Sequence, residues 1–542
     1  MSDKKTTVHE AIADALAAHG TDSLFALMGD ANLFLVESLV RRHKVDLVPF
    51  AHEAGVVLAA VAYASVSGRV GVATVTHGPA LTNCLTALIE GTRAQLPVVL
   101  LAGDTPVEAV HNPQNVDQRE IVKSSGAGFE QMRSPATAVE DVATAFYRAR
   151  VERRPIVLNM PSDFMWQHVE SKTVVHPVFE TPSMVPEGTH MEEAIGMLAS
   201  ARRPLIVAGR GAVSSKDKII ALAERLEAPL ATTLQAKDLF VGHPANIGVF
   251  GTLSTEGAYE IMARSDCVVS FGTHMNIFHT DRGNLLEGKR TIQINHAANV
   301  IGEMFRPDVA LVADAGLTAE NFLHWMEETE TPPSGFSKEI EAETVPFHAK
   351  STGTGTSEGF VDFPAALDRL DAILPRERLL VTDGGQFVTE VWCRFGVQHP
   401  HHFVYSTRFA SIGLGLQMAI GASQAAPEKL TVLFTGDGGF MSGGLTEFNT
   451  AVRKNQRLLV IVCNDSAYGA EYIQFTDRQL DPTLSTFNWP SFADVANALG
   501  GRGMRVSSLD ELDGVGKFLE DMDGPALIDI KLDAANVPRM RL

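Results

Sequence analysis

The chain of 542 residues contains few cysteines and little positive charge, and it has no long hydrophobic run. With 45 Lys and Arg against 65 Asp and Glu, its formal net charge is −20, which argues against a nucleic-acid-binding surface. No apolar stretch is long enough to span a bilayer, and the N-terminus lacks the apolar core of a signal peptide. We therefore expect a cytoplasmic protein with neither nucleic acid nor membrane as a partner. The cysteines lie far apart without CxxC spacing, which indicates neither a zinc site nor a disulfide framework: Cys84, Cys267, Cys393 and Cys463.

Three blocks of alternating strand-like and helical segments are present, as a chain too long for one core requires. The first block contains the apolar runs "SLFALMG", "DLVPFA", "GVATVT" and "PVVLLAGD", separated by Ala-rich stretches. This alternation predicts the α/β class, with three doubly wound parallel-sheet domains. The expected divisions are an N-terminal domain at 1–170, a central domain at 185–332, an exposed linker at 333–360 and a C-terminal domain at 361–542.

Acidic residues follow two successive apolar runs in "VLFTGDGGFMSGGLTEFNTAVRKNQRLLVIVCNDSAYGAE". Asp437 stands in a glycine-rich turn, and Asp465 ends the second run. Open parallel sheets hold their ligands at the carboxyl ends of the strands, so both carboxylates point to one site. Glycines allow main-chain N–H groups to approach a phosphate, and hard oxygens suit Mg²⁺. The pattern predicts a diphosphate bridged to a divalent cation. The alternative is that Gly-Asp-Gly is only a tight turn.

The stretch resembles the signature of thiamine-diphosphate-dependent enzymes, which is GDG, a helix-length spacer and an Asn-Asn pair. The resemblance covers essentially the whole chain, and its domain order is similar to that of the acetolactate synthase and pyruvate decarboxylase family. It implies pyrimidine-binding, Rossmann-like middle and diphosphate-binding domains, with thiamine diphosphate and Mg²⁺ as cofactors. "NDSAYGAE" departs from the usual pair. Alignment on the Tyr-Gly that follows makes the metal ligands Asp437, Asp465 and the carbonyl of Ala467, whereas counting from Asp437 favours Asn464 and Ser466.

Glu53 lies where a strand meets a strongly apolar helix in "VPFAHEAGVVLAAVAYASVSG". By its position alone it could be a carboxylate that interacts with a helix N-terminus. The resemblance implies instead that Glu53 hydrogen-bonds the pyrimidine N1′ of the cofactor and is catalytic.

Further cofactor contacts are implied by the same resemblance. Ile412, in "SIGLGLQMAIGA", corresponds to the bulky apolar side chain that holds the cofactor in its bent conformation, although a Gly-rich helix packed on a sheet would have a similar sequence. The remaining implied contacts are Gly384, Gly385, Gln386, Ala410, Gly436, Gly438, Gly439, Tyr468 and Gly469.

Three residues are candidates for work on the substrate. Asp30, in "LMGDANLFL", is similar to the catalytic aspartate of the GDxN loop in pyruvate decarboxylases, and Glu471 lies where that group has a catalytic glutamate. His77, in "VTHGPALTN", could face the substrate or could be structural. A simple turn at Asp30 and a solvated face at Glu471 are the alternatives. Two loop residues, Gln114 and Asn115, are candidate neighbours of the cofactor.

The middle block carries only an incomplete dinucleotide-binding motif. "GRGAVS" has two glycines and lacks the third. "FGTHMNIFHTDR" and "INHAANVIG" depart from the FAD-binding segments of acetolactate synthase, so bound FAD is doubtful and a structural middle domain is favoured. A nicotinamide-dependent enzyme is an alternative that rests on this motif alone.

The resulting hypothesis is an enzyme that decarboxylates a 2-oxo acid or a related carbonyl compound and joins the remaining fragment to an acceptor, as acetolactate synthase does. One alternative is a simple decarboxylase that releases an aldehyde. Another is a catalytically silent regulatory paralogue. Because Glu53 and Asp437 belong to different blocks and one cofactor must touch both, the resemblance implies a site shared between subunits. We therefore expect a homodimer or a dimer of dimers, the latter a homotetramer.

Overall fold

The computed structural model describes residues 5–170, 174–177, 183–342, 358–520 and 522–536. Within these ranges the chain forms three six-stranded parallel sheets, and buried apolar clusters lie on both faces of each sheet. This architecture confirms the expected fold class. No helix in the described ranges is long and apolar enough to cross a membrane.

The first sheet has the strand order β3-β2-β4-β5-β7-β6. The strands of this domain are β1 (Lys5–Thr7), β2 (Ser23–Ala26), β3 (Asp46–Pro49), β4 (Gly71–Val75), β5 (Val98–Asp104), β6 (Gly128–Gln131), β7 (Pro155–Pro161) and β8 (His168–Glu170). Its helices are α1 (Val8–Ala18), α2 (Leu33–His43), α3 (Glu53–Ser67), α4 (Pro79–Asn83), α5 (Leu85–Ala94), α6 (Gln118–Ser124) and α7 (Ala138–Glu152). The short strands β1 and β8 pair antiparallel outside the sheet, so the chain returns to its own N-terminus as it leaves the domain.

The middle sheet has the order β11-β10-β9-β12-β13-β14, which is the Rossmann arrangement. Its strands are β9 (Pro204–Ala208), β10 (Leu230–Thr232), β11 (Asn246–Val249), β12 (Cys267–Phe271), β13 (Arg290–Asn295) and β14 (Val309–Val312). Its helices are α8 (Thr189–Ala199), α9 (Lys216–Leu226), α10 (Glu256–Arg264), α11 (Ile277–Thr280), α12 (Ala315–Glu328) and α13 (Phe336–Ala342).

Helix α13 lies inside the segment for which the sequence predicted an exposed linker. Phe336 and Ile340, four positions apart and so on one helix face, are buried against the middle domain. The start of that segment is therefore part of the middle domain. Its stretch at 343–357 lies outside the described residues.

The third sheet has the order β16-β15-β17-β18-β20-β19. Its strands are β15 (Arg378–Thr382), β16 (Phe403–Tyr405), β17 (Leu430–Gly436), β18 (Leu458–Asn464), β19 (Arg502–Val506) and β20 (Ala526–Lys531). Its helices are α14 (Phe363–Ile373), α15 (Val388–Arg394), α16 (Gly415–Ala425), α17 (Asp437–Gly439), α18 (Leu445–Arg453), α19 (Gly469–Asp477), α20 (Phe492–Ala498) and α21 (Val515–Glu520), with a π-helix at Phe440–Gly444. Counted along the chain, the strand order is the same as in the first sheet.

The first and third domains share one apolar core through α3 and α16. Helix α3 is buried over Gly55–Ala64, which explains why its sequence is apolar on all sides. Gly421 of α16 allows the two helices to touch, because a Cβ at this position would collide with the carbonyl of Ala59. The two domains of one chain are thus packed into a single body, and the site residues of each have fixed positions relative to the other.

Candidate active site

A cavity of about 1460 Å³ lies between the third domain and the middle domain, and Arg93, Gln95 and residues 151–153 of the first domain also line it. On the third-domain side it is bounded by the turns that follow β15, β17 and β18, which is the carboxyl edge of that sheet. It collects the candidate residues of the C-terminal block, namely Gly384, Gly385, Gln386, Ala410, Ile412, Gly436, Asp437, Gly438, Gly439, Asp465, Ala467, Tyr468, Gly469 and Glu471. Residues predicted from separate motifs therefore line one concave surface.

The turn after β17 holds a buried, incompletely paired carboxylate. Asp437 is 2% exposed, and its Oδ1 accepts a hydrogen bond of 2.7 Å from the main-chain N–H of Gly438. Its Oδ2 is buried and has no hydrogen-bond partner among the described residues. The ring of Tyr468 closes over this turn so tightly that a Cβ at Gly438 would collide with it. A buried carboxylate oxygen without a partner is costly, so this atom needs a ligand such as a cation.

Asp465 lies at the end of β18 and shares this environment. Burial raises the pKa of Asp437 to about 6, and burial together with the neighbouring Asp437 raises the pKa of Asp465 to about 7. Two carboxylates that oppose each other's ionisation are stabilised when a divalent cation binds between them. No group of three or more His, Cys, Asp or Glu side chains suited to a metal occurs in the described ranges. A cation here would need further oxygen ligands besides these two carboxylates, and Ala467 lines the same cavity.

The side chains of Asn464 and Ser466, the alternative metal ligands, do not line the cavity. The side chain of Asn464 is buried, and its Nδ2 donates to Asp529 Oδ1 at 2.8 Å. Its Oδ1 accepts from both the main-chain N–H and the hydroxyl of Ser466, each at 3.2 Å. Neither residue lines the cavity, whereas Asp465 does. Asp465, and not Asn464, therefore faces the cavity, and its role as a metal ligand stays a prediction.

Asp383 was not identified from the sequence, although it follows the apolar run "RLLVT" just as Asp437 follows "TVLFTG". It is 1% exposed and accepts hydrogen bonds from three strand ends and from the loop before α16. The donors are the N–H groups of Gly384, Gly413 and Leu414 and the hydroxyls of Ser406 and Thr435. Asp383 thus holds together the turns that carry Gly384 and Ile412.

Glu53 is the first residue of α3, and it does not line the large cavity. Its Oε2 accepts a hydrogen bond of 3.0 Å from Asn83 Nδ2, at the end of α4. Asn83 was not singled out, although it belongs to the same motif as His77. Within one chain, therefore, Glu53 and Asp437 face different spaces.

Asp30 and His77, predicted from separate motifs, lie together at the carboxyl ends of β2 and β4. His77 Nε2 is 3.4 Å from Asp30 Oδ1, and Asp30 also accepts from the Thr76 hydroxyl at 3.0 Å. The side chain of Asp30 is 75% exposed, whereas that of His77 is 3% exposed. This pair presents a carboxylate at the surface, backed by a buried imidazole.

The loop with Gln114 and Asn115 lies beside this pair. Gln114 packs on Gly78, where a Cβ would collide with the Gln114 carbonyl and where φ is +60°. Asn115 donates to Val110 and lines a separate cavity of about 350 Å³. Gln118 was not predicted from the sequence. Its Oε1 accepts a hydrogen bond of 2.8 Å from the Gly78 N–H and so supports the turn after His77.

In the middle domain, the incomplete glycine motif has a packing role. Gly209 and Gly211 follow β9 and lie against Gly272, which follows β12, so closely that a Cβ on Gly209 would collide with the Gly272 carbonyl. The Gly211 N–H donates to that carbonyl at 3.3 Å. The two glycines therefore join neighbouring strand ends, and this role accounts for them without a dinucleotide.

Comparison with known families matches all three domains. The description "Thiamine pyrophosphate enzyme, N-terminal TPP binding domain" matches residues 6–125, the central domain of the same enzymes matches 191–322, and their C-terminal TPP binding domain matches 383–530. The chain belongs to the thiamine pyrophosphate enzyme family. Thiamine pyrophosphate is thiamine diphosphate, so the resemblance noted in the sequence is confirmed. Both terminal domains are of the type that binds this cofactor, and nothing in these matches indicates FAD.

The names of the relatives of this chain indicate different reactions. The chain is 28% identical to the sulfoacetaldehyde acetyltransferase of Alcaligenes xylosoxydans xylosoxydans, over 94% of this chain and 89% of the relative. It is 26% identical to a probable acetolactate synthase large subunit of Methanococcus aeolicus, over 98% and 93% of the two chains. It is 27% identical to a probable 2-ketoarginine decarboxylase of Pseudomonas aeruginosa, over 94% and 91%. The chain is therefore a thiamine-diphosphate-dependent enzyme of the group that contains acyltransferases, synthases and decarboxylases.

Proposed function

We propose that this enzyme uses thiamine diphosphate and Mg²⁺ to decarboxylate a 2-oxo acid and to join the remaining fragment to an acceptor carbonyl compound. The observation that carries the proposal is the convergence of Asp437, Asp465 and the glycine turns on one cavity. These groups offer two carboxylates to a cation and main-chain N–H groups to a diphosphate.

In the third domain, Asp437 and Asp465 would hold the metal, with a main-chain oxygen of Ala467 as a further ligand. The glycine turns at 384–385 and 436–439 would hold the diphosphate, and Ile412, which is 39% exposed and lines the same cavity, would contact the rest of the cofactor. When bound, thiamine diphosphate supplies a nucleophilic carbon and accepts the electron pair that is left when CO₂ departs.

In the first domain, Glu53 would exchange a proton with pyrimidine N1′ of the cofactor. Asn83 orients the Glu53 carboxylate through its hydrogen bond to Oε2. Asp30 and His77 face the substrate, where they move a proton to or from the product. These assignments give the first domain the proton chemistry and the third domain the anchoring of the cofactor.

The site is complete only in a dimer, because Glu53 and Asp437 of one chain do not share a cavity. Several apolar side chains near the candidate residues of both domains are exposed, which supports a covering partner. They are Met28 and Leu33 in the first domain and Ile412, Tyr468, Leu480 and Leu484 in the third. We propose a two-fold dimer in which the first domain of one subunit faces the third domain of the other, and such dimers can pair further into a homotetramer.

A screen of 2-oxo acids tests this function. Purified protein is incubated with each acid, with and without thiamine diphosphate and Mg²⁺, and CO₂ release is measured. Release that requires both cofactors, together with a 2-hydroxy ketone when an acceptor aldehyde or 2-oxo acid is added, supports carboligation. If calorimetry detects no thiamine diphosphate binding in the presence of Mg²⁺, the proposal is wrong and the silent-paralogue alternative is favoured.

Simple decarboxylation is the second candidate, and a specific observation favours it. The Asp30–His77 pair and the cavity-lining Glu471 are acidic and basic groups of the kind that protonate a product before release. An aldehyde as the sole product, even in the presence of acceptors, would identify this outcome.

A further inference from the structure

Among the residues that the structure describes, one glutamate of the first domain and one of the third are fully buried where the domains meet. Glu90 lies on α5, and Glu447 lies on α18; both side chains are 0% exposed. The two helices occupy equivalent places, because α5 connects β4 to β5 and α18 connects β17 to β18, the third and fourth strands of sheets with the same order. The glutamates are thus related by the likeness of the two domains.

Glu447 of the third domain binds the turn that ends at Glu53. Its Oε1 accepts from the main-chain N–H groups of Ala51 and His52, at 3.2 and 3.0 Å. Its Oε2 accepts from the Thr450 hydroxyl at 2.7 Å. The two N–H groups belong to the residues immediately before Glu53, so the carboxylate sets the direction in which α3 begins.

Glu90 of the first domain does the same for the third domain. Its Oε1 accepts from the N–H of Arg408 at 3.3 Å, and its Oε2 accepts from the N–H of Phe409 at 2.7 Å. The next residue is Ala410, whose φ of +59° lies in the left-handed region that side chains disfavour. Ile412 follows two residues later. Here too the carboxylate binds the residues directly before a segment assigned to the cofactor.

An arginine near each glutamate holds the same turn by a carbonyl oxygen. Arg453 on α18 donates to the carbonyl of Pro49 at 2.9 Å, and Arg93 on α5 donates to the carbonyl of Arg408 at 3.1 Å. The Arg93 guanidinium also lies 4.7 Å from the centre of the Phe409 ring. Each turn is therefore held at both its N–H and its C=O groups by the opposite domain.

A buried carboxylate is tolerated only when its hydrogen bonds are made, and bonds from two consecutive N–H groups fix the orientation of a peptide segment. An apolar contact could join the domains at lower cost in desolvation, but it would not specify that orientation.

We propose that Glu447 and Glu90 are reciprocal positioning residues: Glu447 aims Glu53 at the pyrimidine of the cofactor, and Glu90 holds the Ala410–Ile412 segment that supports the cofactor from the other side. The proposal rests on the function proposed above. In the shared-site dimer, the two glutamates of one chain act on different sites, because Glu53 serves the partner's third domain while Ile412 serves its own.

Hydrogen–deuterium exchange on the cofactor-free protein tests the contacts directly. Gln keeps the shape of the side chain but replaces one acceptor oxygen with a donor. Glu447→Gln should speed exchange at Ala51 and His52, by about tenfold or more, without changing Arg408 and Phe409. Glu90→Gln should give the opposite pattern. The exposed residues Glu120 and Glu377 provide matched controls as Glu→Gln variants in the first and third domains.

Cofactor measurements then separate positioning from simple domain docking. In Glu447→Gln, the Kd for thiamine diphosphate should stay within about threefold of wild type while the exchange of the cofactor C2 proton slows by about tenfold. In Glu90→Gln, the Kd should rise by about tenfold while C2-proton exchange at saturation changes little. Glu447→Asp and Glu90→Asp, which retain an acceptor carboxylate, should recover part of each effect.

Two substitutions of exposed arginines can be used if the buried Glu→Gln variants do not fold. Arg453→Met and Arg93→Met each remove one carbonyl contact and should shift the same parameters in the same directions by smaller factors. Folded variants with unchanged amide exchange, Kd and C2-proton exchange would overturn the positioning roles, as would a loss of thermal stability alone. If the wild-type protein does not bind thiamine diphosphate, the proposed function fails, and this inference fails with it.

Discussion

The first and third domains have the same strand order, yet they expose their functional residues in different ways. In the third domain the turns at the carboxyl edge lie under the middle domain of the same chain, and the candidate residues line one cavity. In the first domain the corresponding edge carries Asp30 with a side chain that is 75% exposed, and Glu53 lies apart from the cavity. Domains with the same strand order therefore offer positions for ligands at the same strand ends. The placement of the neighbouring domain determines at which of these ends a cavity forms.

The two domains also differ in the chemistry for which their side chains are suited. The third domain has glycine turns and two carboxylates, which suit a metal and a diphosphate, whereas the first domain has an orienting amide, a glutamate and an Asp–His pair, which suit proton transfer. The following changes test this division, beginning with the largest expected effect.

Asp437→Ala should strongly weaken the binding of the metal and the cofactor by the third domain. Without this carboxylate the cation has lost one of its two charged ligands, and the Kd for thiamine diphosphate with Mg²⁺ should rise by about 100-fold or more. Isothermal titration calorimetry measures this change. The exposed Glu428→Ala variant in the same domain is the control, and cofactor affinity equal to wild type in Asp437→Ala would place the metal elsewhere.

Glu53→Gln should leave anchoring intact and remove proton transfer in the first domain. A neutral amide cannot exchange a proton with pyrimidine N1′, so the C2-proton exchange of bound cofactor should slow by about 100-fold or more while the Kd changes little. NMR of quenched samples in deuterated buffer measures the exchange. Glu37→Gln, an exposed substitution on α2, is the control, and normal exchange in Glu53→Gln would contradict the assignment.

Mixing these two inactive variants should restore activity if the domains meet across a subunit boundary. In a mixed dimer one site carries both substitutions and the other carries neither, so random exchange of equal amounts should recover about a quarter of wild-type activity. Subunit exchange is verified with differently tagged chains. No recovery after verified exchange, or full activity in a wild-type monomer, would show that the site is not shared.

Asp30→Asn and His77→Asn should each lower turnover by about tenfold, and the double variant should be little worse than either. The reason is that the two side chains are 3.4 Å apart and act as one unit. Steady-state kinetics with the substrate identified by the screen, together with the cofactor Kd as a control, measures this coupling. Additive losses would mean that the residues act independently.

The smallest effect concerns pH and stability in the third domain. Because the pKa values of Asp437 and Asp465 are raised to about 6 and about 7 from 3.8, the folded metal-free protein binds protons more tightly than the unfolded chain. Its stability should therefore fall as pH rises from about 4 to about 7 and level off above that range. Adding Mg²⁺ should restore the lost stability at pH 8 and should change the stability little at pH 5.

Asp465→Asn distinguishes the candidate metal ligands in the same melting experiment. This variant should be a few degrees more stable than wild type in the metal-free state at pH 8 and should lose the response to Mg²⁺. Asn464→Ala should instead be less stable with or without Mg²⁺, because it breaks the bond to Asp529. A Mg²⁺ response that is lost in Asn464→Ala and retained in Asp465→Asn would reverse the assignment.

Local patterns in the sequence were enough to predict the long strands and the turns at their ends. Apolar runs such as "TVLFTG" and "LLVIVCN" correspond to β17 and β18, because a strand buried on both faces needs continuous apolar residues. The strands that no such run predicted are short, with three to five residues each: β1, β6, β8, β10, β11, β14, β16 and β19. Their pairing depends on neighbours that are remote in the chain.

By itself, the sequence determined the fold class, the glycine turn around Asp437, the candidate Glu53 and the family to which the chain belongs. All of these are local features, set by the spacing of apolar, glycine and acidic residues along a few turns of chain.

Only the tertiary structure decided that Asp30 meets His77, that Asp465 rather than Asn464 faces the cavity, and that Glu90 and Glu447 hold the turns of the opposite domains. A carboxylate that accepts bonds from the main-chain N–H groups of another domain has no characteristic spacing, because any residue provides the donor. Such contacts come from the packing of two domains against each other, and for that reason no short stretch of the sequence contains them.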